Sequence, residues 1–404
     1  MKRNTTILAW LGGAAALLAL LGMGAQPAPA QSPEKEGETQ SLFRDTFDSE
    51  TGGWMALGPS GKASVTTDAA HVKEGKGALE FTYTVGKAGE ANAGGPPVDI
   101  LLRPTPDGAL AKMRSLRFWA RADADTPLVV TLSEKEGGHY NTIVWLPKDT
   151  WQQVLLSPED FWLGDGKDDP KDPDGKLDLD KVENVGLVNV WAFLALGASD
   201  NPQIAPIFAP HLGAHSLWLD DFTASPTPRP EEAAPAGDKE GVRIDDLGRT
   251  PLLGWLPIGE IQMKLDKSDT PIKGTALRLE YPQEPGKFAA LMHDLHRYNL
   301  SKASTLTLEV ASQQQAKLIV QLEEKGGAKY NAQVDVPAGA APTRKSVAFT
   351  DFTLADDSPK DSNDHLDLDQ IKSLVIVDIT SLLGGASQQN TLWIGPVHAG
   401  ATAP

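Results

Sequence analysis

The chain has 404 residues, with 37 Lys and Arg against 54 Asp and Glu, a formal charge of −17 at neutral pH, and no cysteine. That negative field repels phosphate backbones and anionic headgroups, which argues against nucleic-acid binding and peripheral membrane attachment. The lack of cysteine excludes disulfides, thiol chemistry and lipid attachment through a cysteine.

Residues 1–30 read as a signal peptide. Lys2 and Arg3 precede an apolar run across residues 7–23, and Ala28-Pro29-Ala30 fits the A-x-A pattern of a cleavage site. An uncleaved anchor is the alternative reading of the same run. Loss of Lys2 and Arg3 leaves 35 basic residues and a balance of −19. Export without disulfides points to a bacterial periplasm or the extracellular space, where a large core can suffice alone. A polar tether follows at residues 31–41. A Pro/Ala/Glu-rich stretch, "PTPRPEEAAPAGDKEG" at residues 226–241, reads as a linker. The two domains expected on either side span residues 42–225 and 242–400.

The two segments are diverged copies of one another. Gly53-Trp54 matches Gly254-Trp255, "ALEFTY" (78–83) matches "ALRLEY" (276–281), and "GGHYNTIVWLP" (137–147) matches "GGAKYNAQVDVP" (326–337). "LDLDKV" (177–182) matches "LDLDQI" (366–371), and "LWLDD" (217–221) matches "LWIGP" (392–396), in the same order throughout. Runs such as "LRFWARA", "LVVTLS" and "TIVWLP" alternate with period two, and Gly, Pro, Asp and Asn separate them. The fold class expected is therefore all-β, two tandem antiparallel β-sandwiches. "LDLDKVENV" is expected to hold one short helical turn capped by an aspartate.

The opening "DTFD…GW", the middle "LRFWARAD", then "GGHYNTIVWLP" and the closing "LWLDDF" resemble the galactose-binding-like jelly rolls. Within that group they are most similar to family 11 carbohydrate-binding modules, with the complex I intermediate-associated type of domain as a further relative. The resemblance covers nearly all of the first copy and is weaker over the second. It implies a jelly-roll fold, a sugar chain held on a concave outer sheet face, and a structural Ca²⁺ where the first and last strands meet. The matching positions for Ca²⁺ are Asp48 and Asp220, replaced by Gly248 and Gly395 in the second copy.

Comparing copies assigns faces. Leu116, Phe118 and Ala120 match Leu306, Leu308 and Val310, so that parity is core; Val144 and Leu146 match Val334 and Val336. The opposite parity exchanges Trp119 for Glu309 and Trp145 for Asp335, and in a later strand Trp191 for Thr380. A buried indole is rarely exchanged for a carboxylate, because an unpaired buried charge is costly. The three tryptophans are therefore expected on an outer face with Arg121, Asn189 and Tyr140, as the ligand-binding set; cover by other parts of the chain is the alternative.

The acidic run "DGKDDPKDPDGKLDLD" (165–180) fails as an EF-hand: with Gly175 at the sixth place, Pro170 and Lys181 fall at the first and twelfth. His211 with His215, and His293 with His296, have metal-like spacing but no third ligand in view. No nucleophile elbow, zincin helix or phosphate loop is present, and no carboxylate pair stands out among 54 acids. The sequence thus points to an exported, non-catalytic glycan-binding protein. An assembly adaptor that docks another protein through the same face is the rival.

Overall fold

The computed structural model describes residues 41–86, 96–135, 137–164, 170–198, 205–229, 241–245, 247–268, 270–287, 289–361, 363–384 and 387–400. The signal peptide, nearly all of the tether, most of the linker and part of the acidic run lie outside the described residues. The chain divides into two compact units at residues 232/233.

The first unit is a sandwich of two antiparallel sheets. Sheet A contains β1 (Phe43–Asp45), β3 (Lys62–Thr66), β4 (Ala78–Val85), β6 (Ser115–Ala122), β9 (Gln152–Leu156) and β12 (Gly213–Ser225). Their order is β3-β4-β12-β6-β9, with β1 beside β12. Sheet B contains β2 (Met55–Leu57), β5 (Ile100–Pro104), β7 (Thr126–Glu134), β8 (His139–Leu146), β10 (Trp162–Leu163) and β11 (Val182–Asn189), in the order β10-β8-β7-β11-β5-β2. Two short helices, α1 (Val190–Ala198) and α2 (Ala205–Phe208), fall between β11 and β12.

The second unit repeats this plan strand for strand. Sheet C holds β13 (Gly241–Asp245), β15 (Gln262–Asp266), β16 (Ala276–Gln283), β18 (Thr305–Ser312), β21 (Thr343–Ala348) and β24 (Gln388–Gly400). Sheet D holds β14 (Trp255–Gly259), β17 (Ala289–Asp294), β19 (Ala316–Glu324), β20 (Lys329–Val336), β22 (Thr353–Leu354) and β23 (Ile371–Asp378). Their orders, β15-β16-β24-β18-β21 and β14-β17-β23-β19-β20-β22, are those of sheets A and B shifted by twelve strands. The two sandwiches share one topology.

Alternation builds each core as the sequence predicts. Leu79, Phe81, Leu116, Phe118 and Ala120 of sheet A are buried, as are Leu128, Val130, Leu132, Val144 and Leu146 of sheet B. Burying each large side chain contributes about 1.5–3 kcal/mol. At one end, Trp54 Nε1 donates to Asp45 Oδ2 at 3.0 Å, and the Arg103 guanidinium pairs with the same carboxylate. In the second unit Trp255 donates to Asp245 in the same way. His293 replaces the arginine and stacks on Trp255, ring centroids 4.2 Å apart. "LDLDKV" forms a hydrogen-bonded turn, Lys181 N to Asp178 O at 2.9 Å, rather than a helical turn. Glu134 explains this: its side chain accepts from Asp178 N and holds the segment against β7.

Candidate functional site

Parity distinguishes inward from outward but not one sheet from the other. Trp119 lies on β6 of sheet A, whereas Trp145 lies on β8 of sheet B, so their outward faces are on opposite sides of the sandwich. The three-tryptophan platform is therefore not formed. Trp145 does point outward, paired in register with Pro127, yet it is 4% exposed. Trp191 is not a strand residue. It is the second residue of α1, is 1% exposed, and stacks on His211 with centroids 4.1 Å apart.

Asn189 and Tyr140 face the opposite way from expectation. Asn189 pairs with core Leu128, donates to Tyr83 Oη at 3.0 Å across the sandwich, and accepts from Trp191 N at 2.9 Å as the cap of α1. Its counterpart Asp378 likewise accepts from Tyr281 Oη at 2.7 Å and from Thr380 N at 2.8 Å. Tyr140 pairs with core Leu132 and donates to Asp172, as Tyr330 donates to Asp361. Both residues serve structure. In the strand of Asn189 the outward valine, Val188, and its counterpart Val377 are buried as well, so apolar matching between copies could not reveal the inward face there; Tyr140 shares the parity of core Val144 and Leu146, so alternation in its own strand already placed it inward.

Trp119 and Arg121 remain, and they stand together on the outer face of sheet A. Register places Trp119 between Gln153 of β9 and Asp220 of β12, and Arg121 beside Trp218. A strap, residues 67–77, crosses this face. His71 stacks on Trp218 with centroids 4.0 Å apart and planes 10° apart, while Trp218 Nε1 donates to Glu80 at 3.2 Å. Arg121 donates to Ala70 O, lies 3.3 Å from Asp149, and has its guanidinium carbon 5.6 Å from the Trp218 ring centre. Trp119 donates its indole N–H to Glu74 at 2.7 Å, and Lys73 Nζ sits 4.5 Å from the indole centroid. Trp119 is partly exposed, and Lys73 and Glu74 are exposed.

Asp48 and Asp220 both hold the strap. Asp220 Oδ2 accepts from Lys73 N and Glu74 N, each at 2.8 Å, and Asp48 accepts from Lys76 N. Gly75 permits this turn: its φ is +67°, and a Cβ there would lie 2.3 Å from Asp48 Oδ1. Asp220 Oδ1 is buried without a hydrogen-bond partner, and burial raises the carboxyl above the ordinary aspartate value despite the N–H groups that lower it. That oxygen fits a hard cation. Among the described residues, no cluster of three or more His, Asp or Glu side chains is arranged to hold a metal, so backbone oxygens would have to complete the shell.

Sequence comparison missed Trp218, His71 and Glu74. Trp218 alternates with core Leu217 and Leu219, which was a readable signal, but it is retained as Trp393 in the second copy and so did not register as a difference. There the face is closed by an apolar cluster of Ile272, Ala276, Ala311 and Trp393. Glu309, Ala311 and Gly395 stand where the first unit has Trp119, Arg121 and Asp220. A Cβ on Gly395 would approach Ile272 Cγ2 to 3.0 Å.

His211 is displaced to about 4 by burial, whereas His215 is raised by its contact with Asp123. Each is absorbed by local packing.

No family model and no curated protein matches the chain. Solved structures do. A family 11 carbohydrate-binding module from Clostridium thermocellum, in complex with a β-1,3-1,4-mixed-linked tetrasaccharide, is similar at 15% identity and a TM-score of 0.32. The match covers 40% of this chain and 95% of that one. The tandem family 22 modules at the N-terminus of Paenibacillus barcinonensis Xyn10C cover 92% of this chain and 100% of theirs, at 12% identity and a TM-score of 0.28. An exo-β-agarase is similar over 41% of this chain and 26% of its own, at 11% identity and a TM-score of 0.32. The strand orders by themselves define a tandem antiparallel β-sandwich.

Proposed function

We propose that the protein is an exported, non-catalytic glycan-binding protein, and that the ligand lies on the outer face of sheet A in the first unit. The observation that carries this reading is the partly exposed indole of Trp119, set between Arg121, Gln153 and the strap. An indole face takes the apolar face of a pyranose, and the flanking guanidinium and amide groups take its hydroxyls. A neutral sugar suits a chain of this charge, because a polyanion would meet a repulsive field. Asp48 and Asp220 are proposed to hold a structural Ca²⁺ with oxygens of the strap, which would fix the strap backbone against Trp119.

Affinity gel electrophoresis of the mature chain against mixed-linkage β-1,3-1,4-glucan, xylan and agarose tests the reading. Retardation by at least one polymer, with no reducing ends released on prolonged incubation, is expected. Unretarded migration on all three, together with a stoichiometric protein partner on purification, would favour the adaptor instead.

A further inference from the structure

Lys73 stands out on the Trp119 face. Its ammonium sits over the indole at 4.5 Å from the ring centroid. Among the described residues no carboxylate lies within ion-pair distance of it. The strap around it is fixed by other atoms. Asp220 holds the backbone N–H groups of Lys73 and Glu74, Asp48 holds that of Lys76, and Glu74 takes the indole N–H. The backbone is tied down, and the Lys73 side chain, which is exposed, retains its rotamers.

Resting on the glycan-binding reading above, we propose that Lys73 is a self-capping residue, occupying the indole surface of Trp119 that a neutral sugar must cover, and swinging off it when the sugar binds. The gate is thus one side chain, with the strap staying in place. An ammonium over a partly exposed indole is a weak contact, so its displacement lowers affinity by about two- to fivefold rather than blocking the site. The same contact limits the site to ligands whose stacking outweighs it. It also shields an otherwise bare indole from non-specific association.

A series at one position, run on the full mature chain with the three polymers above, tests this. Lys73→Ala should tighten binding by about two- to fivefold with no change in melting temperature. Lys73→Arg should weaken it, because a planar guanidinium covers more of the ring. Unchanged or weaker binding by Lys73→Ala, while Trp119→Ala still loses affinity, would overturn the cap and leave the Trp119 site standing. Binding that ignores Trp119→Ala, or silence on all three polymers, would overturn both.

Discussion

Asn189 shows how much one side chain can join. It caps α1 through Trp191 N and ties sheet B to Tyr83 of sheet A. Asn189→Ala should therefore cost about 2–3 kcal/mol in a denaturant titration, from a lost cap and a buried hydroxyl stripped of a partner. A loss under about 0.5 kcal/mol would mean that neither bond matters. Trp145→Ala should cost about 3–5 kcal/mol, since it opens a cavity at an enclosed position. Alternation made the inward side chains of β6, and Val144 and Leu146 of β8, legible, although Tyr140 on that same parity was assigned outward; it could not say which sheet an outward residue belongs to. Trp119 and Trp145 were thus legible as outward-pointing and illegible as neighbours. The inward Asn189 was hidden for a further reason: its polarity is satisfied by a tyrosine more than a hundred positions away.

At the scale of elements, the end of each sandwich is built from the same tryptophan and aspartate but a different third partner. Arg103 is charged and paired in the first unit, whereas His293 is fully buried against Trp255, and burial pushes it down to about 3. Its ordinary value is near 6.5, so the unfolded chain takes up a proton between pH 6.5 and 3 while the folded unit does not. The His293 contribution to the stability of the second unit should therefore fall as pH drops through that window and be level above it. His293→Phe should flatten this dependence in melting experiments at pH 7 and pH 5. A variant whose melting temperature drops with acid as steeply as the parent would show that other groups govern it. The strap is the other informative element. Its aspartate anchors were legible as a pair, through their joint replacement by glycine in the second copy. Its seat over Trp119 was not, because no alternation marks a loop's path across a sheet.

Across the whole molecule, two sandwiches of one topology carry two different sheet faces. The first has an indole, a guanidinium and a buried carboxylate where the second has a small apolar cluster. Calorimetry of the intact chain should accordingly show two transitions, of which one moves upward with Ca²⁺ and returns with chelator, by mass action on the native state. Asp220→Asn should abolish that shift. Two transitions insensitive to chelator would remove the metal from the account. Whether the Trp119 face binds glycan is decided by measuring affinity and stability together on Trp119→Ala. Stacking of a sugar on an indole contributes about 1–2 kcal/mol. Trp119→Ala should bind glycan roughly tenfold more weakly, with unfolding free energy within about 1 kcal/mol of the parent. Parental affinity in Trp119→Ala, or affinity lost only in Trp145→Ala, would contradict binding at that face.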